Sequence, residues 1–274
     1  MFTNLLEYLH LLKFKRLFTV KKKLGEGGFG KVHLCSRKRD NAKVAVKRLR
    51  KARVTHLCEC SSGVLPLEIY CLSKLQNDHI VTTHGYMETR YHWLIVMDYM
   101  EPSMDLFDYV EEKKRLEEPL TRDIFLQLHD AVSYCLARGI DHRDIKDENV
   151  LINVSTLQIK LIDFGSASLY DRNVPYTYAR GTDIFLPPEF FYRGYYQAVQ
   201  GTVWALGCLV YKLSVGFYPF LDTEEVRLRN PPLSDVSPLC RNFIKLCLAK
   251  TPDERMEYRN LTVHPWFADD KRSF

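Results

Sequence analysis

Four short segments, set in order along 274 residues, narrow the folds open to this chain more than any bulk property does. The first, Leu24-Gly25-Glu26-Gly27-Gly28-Phe29-Gly30-Lys31-Val32, contains G-x-G-x-x-G, a pattern shared by nucleotide loops, dinucleotide folds and ordinary turns. A dinucleotide fold needs a helix directly after the glycines. Here Val32-His33-Leu34-Cys35 reads instead as a strand returning from a hairpin, which argues against an oxidoreductase. Bare backbone in such a hairpin is able to close over phosphates. The second segment, Val44-Ala45-Val46-Lys47, reads as a buried strand ending in an ammonium that is costly to bury unpaired. Glu68, on a predicted helix over 65–76, is its natural partner, and a purely structural ion pair accounts for the two equally well.

The third and fourth segments are His142-Arg143-Asp144-Ile145-Lys146-Asp147-Glu148-Asn149, leading into Val150-Leu151-Ile152, and Lys160-Leu161-Ile162-Asp163-Phe164-Gly165. With these in place the set resembles the eukaryotic protein kinases, from about Phe18 to Phe267. The resemblance implies an α+β, bilobal kinase fold. A small β-rich N-lobe (18–97), a hinge (98–102) and a larger α-helical C-lobe (103–267) would lie between an N-terminal extension (1–17) and a short tail (268–274). It implies a Ser/Thr protein kinase that uses ATP and Mg²⁺ or Mn²⁺.

Roles follow residue by residue from the same resemblance. Gly25, Gly27, Gly28 and Gly30 would cover the phosphates, and Lys47, held by Glu68, would bind them. Leu24, Val32, Ala45, Met97, Asp98, Met100 and Leu151 would line the purine. Asp144 would accept the substrate's hydroxyl proton, Lys146 would meet the γ-phosphate, and Asn149 and Asp163 would hold the metal. His142 would be a packed framework residue, and Glu189 with Arg255 a structural ion pair. Phosphoryl transfer asks mainly for charge neutralisation and positioning, which suits a site of cations and metal-binding oxygens.

Finer details are similar to the PIM family: Asp147-Glu148-Asn149, Pro187-Pro188-Glu189, and Thr202-Val203-Trp204, where Thr202 replaces the Asp that usually precedes Val-Trp. PAS-domain kinases share some of these features and rank second. The PIM resemblance implies protein substrates with upstream Arg or Lys, met by Asp105, Asp108 and Glu148, and a further acidic group at Asp222, Glu224 and Glu225. It also implies activity without phosphorylation of the activation segment, where Thr182 would touch Asp144 and Lys146. There are two departures. Met100 stands where PIM kinases carry a hinge proline, restoring a backbone donor. Asp141 precedes His142 where an apolar residue is usual, with no function legible. The competing function is a pseudokinase scaffold, against which Lys47, Asp144 and Asp163 are all retained.

The formal charge of +5 hides an asymmetry, since residues 1–100 hold 18 Lys/Arg against 8 Asp/Glu and the remainder 21 against 26. A basic half suits phosphates and an acidic half suits a basic peptide, although solvated faces would look the same. The 8 cysteines form no framework and no secretory signal opens the chain, so reduced thiols in the cytosol or nucleus are expected. His56, Cys58 and Cys60 fall short of the four ligands zinc needs. The first 17 residues are too interrupted to span a bilayer. No nucleic-acid partner is expected, and a monomer is the family default.

Overall fold

The computed structural model describes residues 14–27, 30–61 and 63–272, so Gly28 and most of the N-terminal extension lie outside the described residues. The chain divides into two compact units between Glu101 and Pro102.

The first unit is built on an antiparallel sheet. Its strands are β1 (Phe18–Gly27), β2 (Gly30–Arg37), β3 (Lys43–Arg50), β6 (Thr83–Glu88) and β7 (His92–Asp98), in the order β1-β2-β3-β7-β6. Side chains alternate across a strand, and cross-strand partners share a face. Val32 is opposite Lys47 and Lys47 opposite Ile95, while Ala45 is opposite both Leu34 and Met97. Val32, Ala45, Lys47, Ile95 and Met97 therefore share one face. The other face carries Cys35, Val44, Val46, Leu94 and Val96, packed with Phe14 and Phe18 into a core. The rings of Phe14 and Phe18 stack at 5.3 Å, which fixes the helical turn at 14–17 against the start of β1.

A hairpin of β4 (Leu57–Cys60) and β5 (Gly63–Pro66) precedes α1 (Leu67–Ser73). This shortens the helix expected over 65–76. Leu65 and Pro66 are drawn into the hairpin opposite Cys58 and Leu57, and a tight turn from Lys74 N–H to the Cys71 carbonyl closes the other end.

The second unit is mainly helical, with α2 (Leu106–Lys113), α3 (Glu118–Ala137), α4 (Pro188–Arg193), α5 (Ala198–Val215), α6 (Thr223–Leu228) and α7 (Pro238–Cys247). Helix α5 is long and apolar enough to cross a membrane, yet 83% of it is buried by its neighbours. Phe220 stacks on its Trp204, and Phe125, Phe243 and Trp266 pack ring against ring, each nearly inaccessible to solvent. The stretch over 139–165 carries short strands, β9 (Ile140–Asp141), β10 (Val150–Asn153) and β11 (Ile159–Leu161). β10 pairs with β11 and with β8 (Ser103–Asp105), while β9 pairs with β12 (Ser168–Leu169). These pairings hold both ends of the polar 142–149 loop on fixed backbone.

Candidate active site

In the first unit Lys47 and Glu68 meet as the sequence suggests, Nζ to Oε1 at 2.6 Å, both side chains 6% exposed. β3 and α1 each contribute one member. Gly25 lies opposite Val32 and Gly27 opposite Gly30, so the glycine run is a hairpin and not a strand–helix turn. The glycines are not equivalent. A Cβ on Gly25 would meet nothing within 4 Å, whereas one on Gly30 would collide with the Arg48 carbonyl oxygen. The last glycine is thus required by β3 itself, whatever it does for a ligand.

Leu24 is exposed, Val32 half-buried, and Ala45 and Met97 are buried on the Lys47 face. Asp98 ends β7 opposite Val44, which turns its side chain to the other face, where its carboxylate meets His84 Nε2 at 2.6 Å. Its N–H bonds the Thr82 carbonyl, leaving the backbone carbonyl as its means of reaching a ligand on the Lys47 side. Met100 lies just beyond β7, in the linker.

In the second unit the loop after β9 is strained. Arg143 and Asp163 are non-glycine residues in the left-handed region, at φ 61° and 57°. Such conformations cost on the order of 1–3 kcal/mol each and persist only where neighbours impose them. The neighbours here are explicit. His142 Nε2 meets the Ile162 carbonyl at 2.9 Å, the Asp144 N–H donates to His142 Nδ1 at 3.3 Å, and Phe164 packs edge-on to the imidazole. Asp163 Oδ1 accepts from Gly165 N–H at 3.0 Å.

Asp144 lies at the centre of a network. Its Oδ2 accepts from Asn149 Nδ2 at 2.9 Å, its Oδ1 accepts from the Thr182 hydroxyl at 3.1 Å, and Lys146 Nζ donates to Thr182 Oγ1 at 2.9 Å. Asn149 also gives its amide to the Asp144 carbonyl. Its NH₂ group being committed, its carbonyl oxygen is the atom left to ligate. Burial alone would lower the Lys146 pKa, but Glu148, Asp144 and Asp147 outweigh it and hold the ammonium protonated. Asn149 and Asp163 offer uncharged and charged oxygen, the donor set a hard cation such as Mg²⁺ takes.

Arg143 ties the activation segment down. Its guanidinium donates to Ser168 Oγ at 3.0 Å, the Tyr178 carbonyl at 2.7 Å and the Tyr196 hydroxyl at 3.3 Å. It lies over the rings of Tyr176 and Tyr178, at 3.8 and 4.7 Å. Sequence reasoning missed this clamp. Tyr176 is buried under it.

The three acids expected to meet substrate are brought near one another. Asp105 caps α2 by accepting from Asp108 N–H at 2.8 Å, while Asp108 and Glu148 are exposed. Burial first, then the negative charges of Asp108 and Glu148, raise the Asp105 pKa, the response of a carboxylate lacking a cation. Glu148 is partly engaged, since Lys146 Nζ lies 2.7 Å away. Of the more distant group, Asp222 caps α6 and Glu225 bonds Arg229 and the Leu221 N–H, so both serve local structure. Among the described residues no cluster of three or more His, Cys, Asp or Glu is placed to hold a metal.

The fold and this array of side chains define a phosphotransferase, and the chain belongs to the protein kinase family, whose domain matches residues 18–267. Within that family it is a serine/threonine kinase of PIM-related type. It is 35% identical over 268 residues to the serine/threonine-protein kinase pim-2 of Danio rerio, covering 93% of this chain and 86% of that protein. It is 32% identical to the serine/threonine-protein kinase prk-2 of Caenorhabditis elegans, over 93% of this chain and 59% of that one. It is 34% identical to the PAS domain-containing serine/threonine-protein kinase of Mus musculus, over 89% of this chain but 18% of that protein. Use of ATP and a divalent cation is general to the family.

Proposed function

We propose that this kinase phosphorylates Ser or Thr in proteins that carry Arg or Lys upstream of the acceptor, and that it does so without phosphate on its activation segment. The reading rests on one observation above others: Thr182, Asp144, Lys146 and Asn149 form a closed hydrogen-bonded set in the unmodified chain.

In this reading Lys47, oriented by Glu68, neutralises the α- and β-phosphates of ATP, and Gly25, Gly27, Gly28 and Gly30 bring backbone N–H groups over them. Val32, Ala45 and Met97 offer an apolar face to the purine, as do Leu24 and Leu151, with backbone atoms of Asp98 and Met100 at its edge. Asp144 orients the acceptor hydroxyl and takes its proton as the oxygen bonds to the γ-phosphorus and the bond to the ADP oxygen breaks. Lys146 offsets the charge on the transferring group. Asn149 and Asp163 hold Mg²⁺, which would neutralise phosphate charge when bound. Asp105, Asp108 and Glu148 take the substrate's guanidinium groups, which pair bidentately with carboxylates.

The clamp on Arg143 supports independence from phosphorylation. A guanidinium that elsewhere would be paired by an added phosphate is here already held by Ser168, Tyr178 and Tyr196.

The test is transfer from ATP–Mg²⁺ to a serine peptide with upstream arginines and to the same peptide with alanines, using phosphatase-treated enzyme and Asp163→Asn as control. We expect a kcat/KM preference for the arginine peptide of about 100-fold, on the order of 1.4 kcal/mol for each of two charge pairs. Asp105→Asn with Asp108→Asn should remove most of it. Equal rates on the two peptides would sink the specificity reading. Loss of transfer on phosphatase treatment would sink the other half, and ATP binding without any transfer would leave a pseudokinase.

A further inference from the structure

Asp141, whose place before His142 has no function legible in the sequence, and Thr202, where the usual Asp is missing, are brought together by the fold. Asp141 ends β9 and is 3% exposed. Its Oδ1 accepts from the Arg143 N–H at 3.3 Å, and the hydroxyls of Thr202 on α5 and Tyr176 on the activation segment face the same carboxylate. The Tyr176 hydroxyl has this carboxylate as its electrostatic neighbour without a well-aligned hydrogen bond.

The surroundings are cationic. Arg143, from the loop after β9, and Arg180, from the activation segment, both donate to Ser168 Oγ, each at 3.0 Å. Asp141 is the single carboxylate among the residues lining the small cavity, about 20 Å³, onto which both arginines and Thr202 open. A buried carboxylate beside a guanidinium is retained at a cost that its contacts must offset. What it holds is the left-handed turn at Arg143, one residue before Asp144.

We infer that Asp141 is a positioning residue: from within the catalytic loop it supplies the carboxylate absent at position 202, and so fixes the Arg143 turn that aims Asp144. The inference rests on reading Asp144 as the group that takes the substrate proton. Asp141 touches neither substrate nor nucleotide in this scheme and acts through the backbone it caps.

One property separates positioning from mere packing. Burial pushes the Asp141 carboxyl up to about 6, against the opposing effect of Arg143. The charged and titratable groups around it are Arg143 on its own loop, Tyr176 and Tyr196 beside the activation segment, Arg180 across the cavity, and Tyr258. A carboxyl with a raised pKa in the folded state stabilises the fold least when ionised. Its contribution is lost as pH rises from about 4 through about 6. Removing the charge should therefore spare stability at neutral pH while harming turnover.

The experiment compares Asp141→Asn, Asp141→Ala, Asp141→Ala/Thr202→Asp and Asp144→Asn in steady-state kinetics, with melting temperatures measured at pH 5 and 7.5. Asp141→Asn should lose kcat by about tenfold with KM for ATP within about twofold, melt no lower than the parent at pH 7.5, and lose the acid limb of the kcat profile near pH 6. Asp141→Ala/Thr202→Asp should recover most of the kcat that Asp141→Ala loses, because a carboxylate on α5 enters the same cavity. A kcat unchanged in Asp141→Asn, or a double variant as slow as Asp141→Ala, overturns the inference. If Asp144→Asn itself turns over normally, the reading of Asp144 has failed, and the inference falls with it.

Discussion

Arg255→Ala is expected to lower the melting temperature by roughly 10 °C, the largest loss of stability foreseen here for one side chain. Arg255 donates Nη1 and Nη2 to the two oxygens of Glu189, at 2.8 and 2.7 Å, in a fork with both partners essentially sealed from solvent. The same guanidinium reaches the Gln200 carbonyl at 3.0 Å and the Ala249 carbonyl at 3.1 Å, and lies over Trp204. Three stretches of chain, the start of α4, the first turn of α5 and the turn after α7, thus meet on one charge.

Truncation would leave Glu189 buried with no cation and two carbonyls without that donor. Breaking such a pair costs about 3–5 kcal/mol, and a unit of this size loses about 2–4 °C for each kcal/mol. The cost belongs to the orphaned partner more than to the bond. Arg255→Met combined with Glu189→Leu should therefore melt well above Arg255→Ala. A melting point for Arg255→Ala within about 2 °C of the parent would mean that Glu189 finds water or another partner.

Much of the site was legible because its residues are close in sequence or share one strand's alternation. Lys47 could be read as buried from the apolar run before it, and its cost named Glu68 as partner. Asp144, Lys146 and Asn149 fall within six residues, so one loop necessarily gathers them. What escaped was set by long-range packing. Nothing local says that Tyr176 and Tyr196 pair as an antiparallel bridge and bring their rings to Arg143. Asp141 was unintelligible alone and became readable beside Thr202, which only the docking of α5 supplies. The direction of the Asp98 carboxylate was not legible either, because its place in β7, and not its motif position, decides where the side chain goes. Gly30 was assigned to phosphates for its lack of a side chain, whereas the sheet already requires that lack.

The same distinction between a motif and its packing governs Gly181→Ala, for which a kcat loss of at least about 100-fold is expected. Gly181 has φ +81°, and a Cβ there would run into the Arg143 carbonyl oxygen and stand 2.9 Å from Asp144 Oδ1. Neither neighbour yields easily, since one is backbone in a strained turn and the other is held by Asn149 and Thr182. Relief of the contact has to move Thr182, Asp144 or both, and a displacement of about 1 Å at a reacting group costs on the order of 100-fold in rate.

Gly194→Ala is the matched control. Gly194 also sits in the left-handed region, at φ +74°, but a Cβ there meets nothing within 4 Å. Both substitutions carry the same backbone penalty of about 1–2 kcal/mol, to which the collision adds at Gly181 alone, so both should lower the melting temperature and Gly181→Ala by more. Only the Gly181 variant should also lose turnover, with ATP affinity nearly unchanged. Measured at a temperature where both remain folded, equal kcat values for the two variants would show that the activation segment can shift away from Asp144 without consequence. A loss confined to Gly181→Ala would show that the close approach of this segment to the 142–149 loop is itself part of how the enzyme holds Asp144, the proposed base.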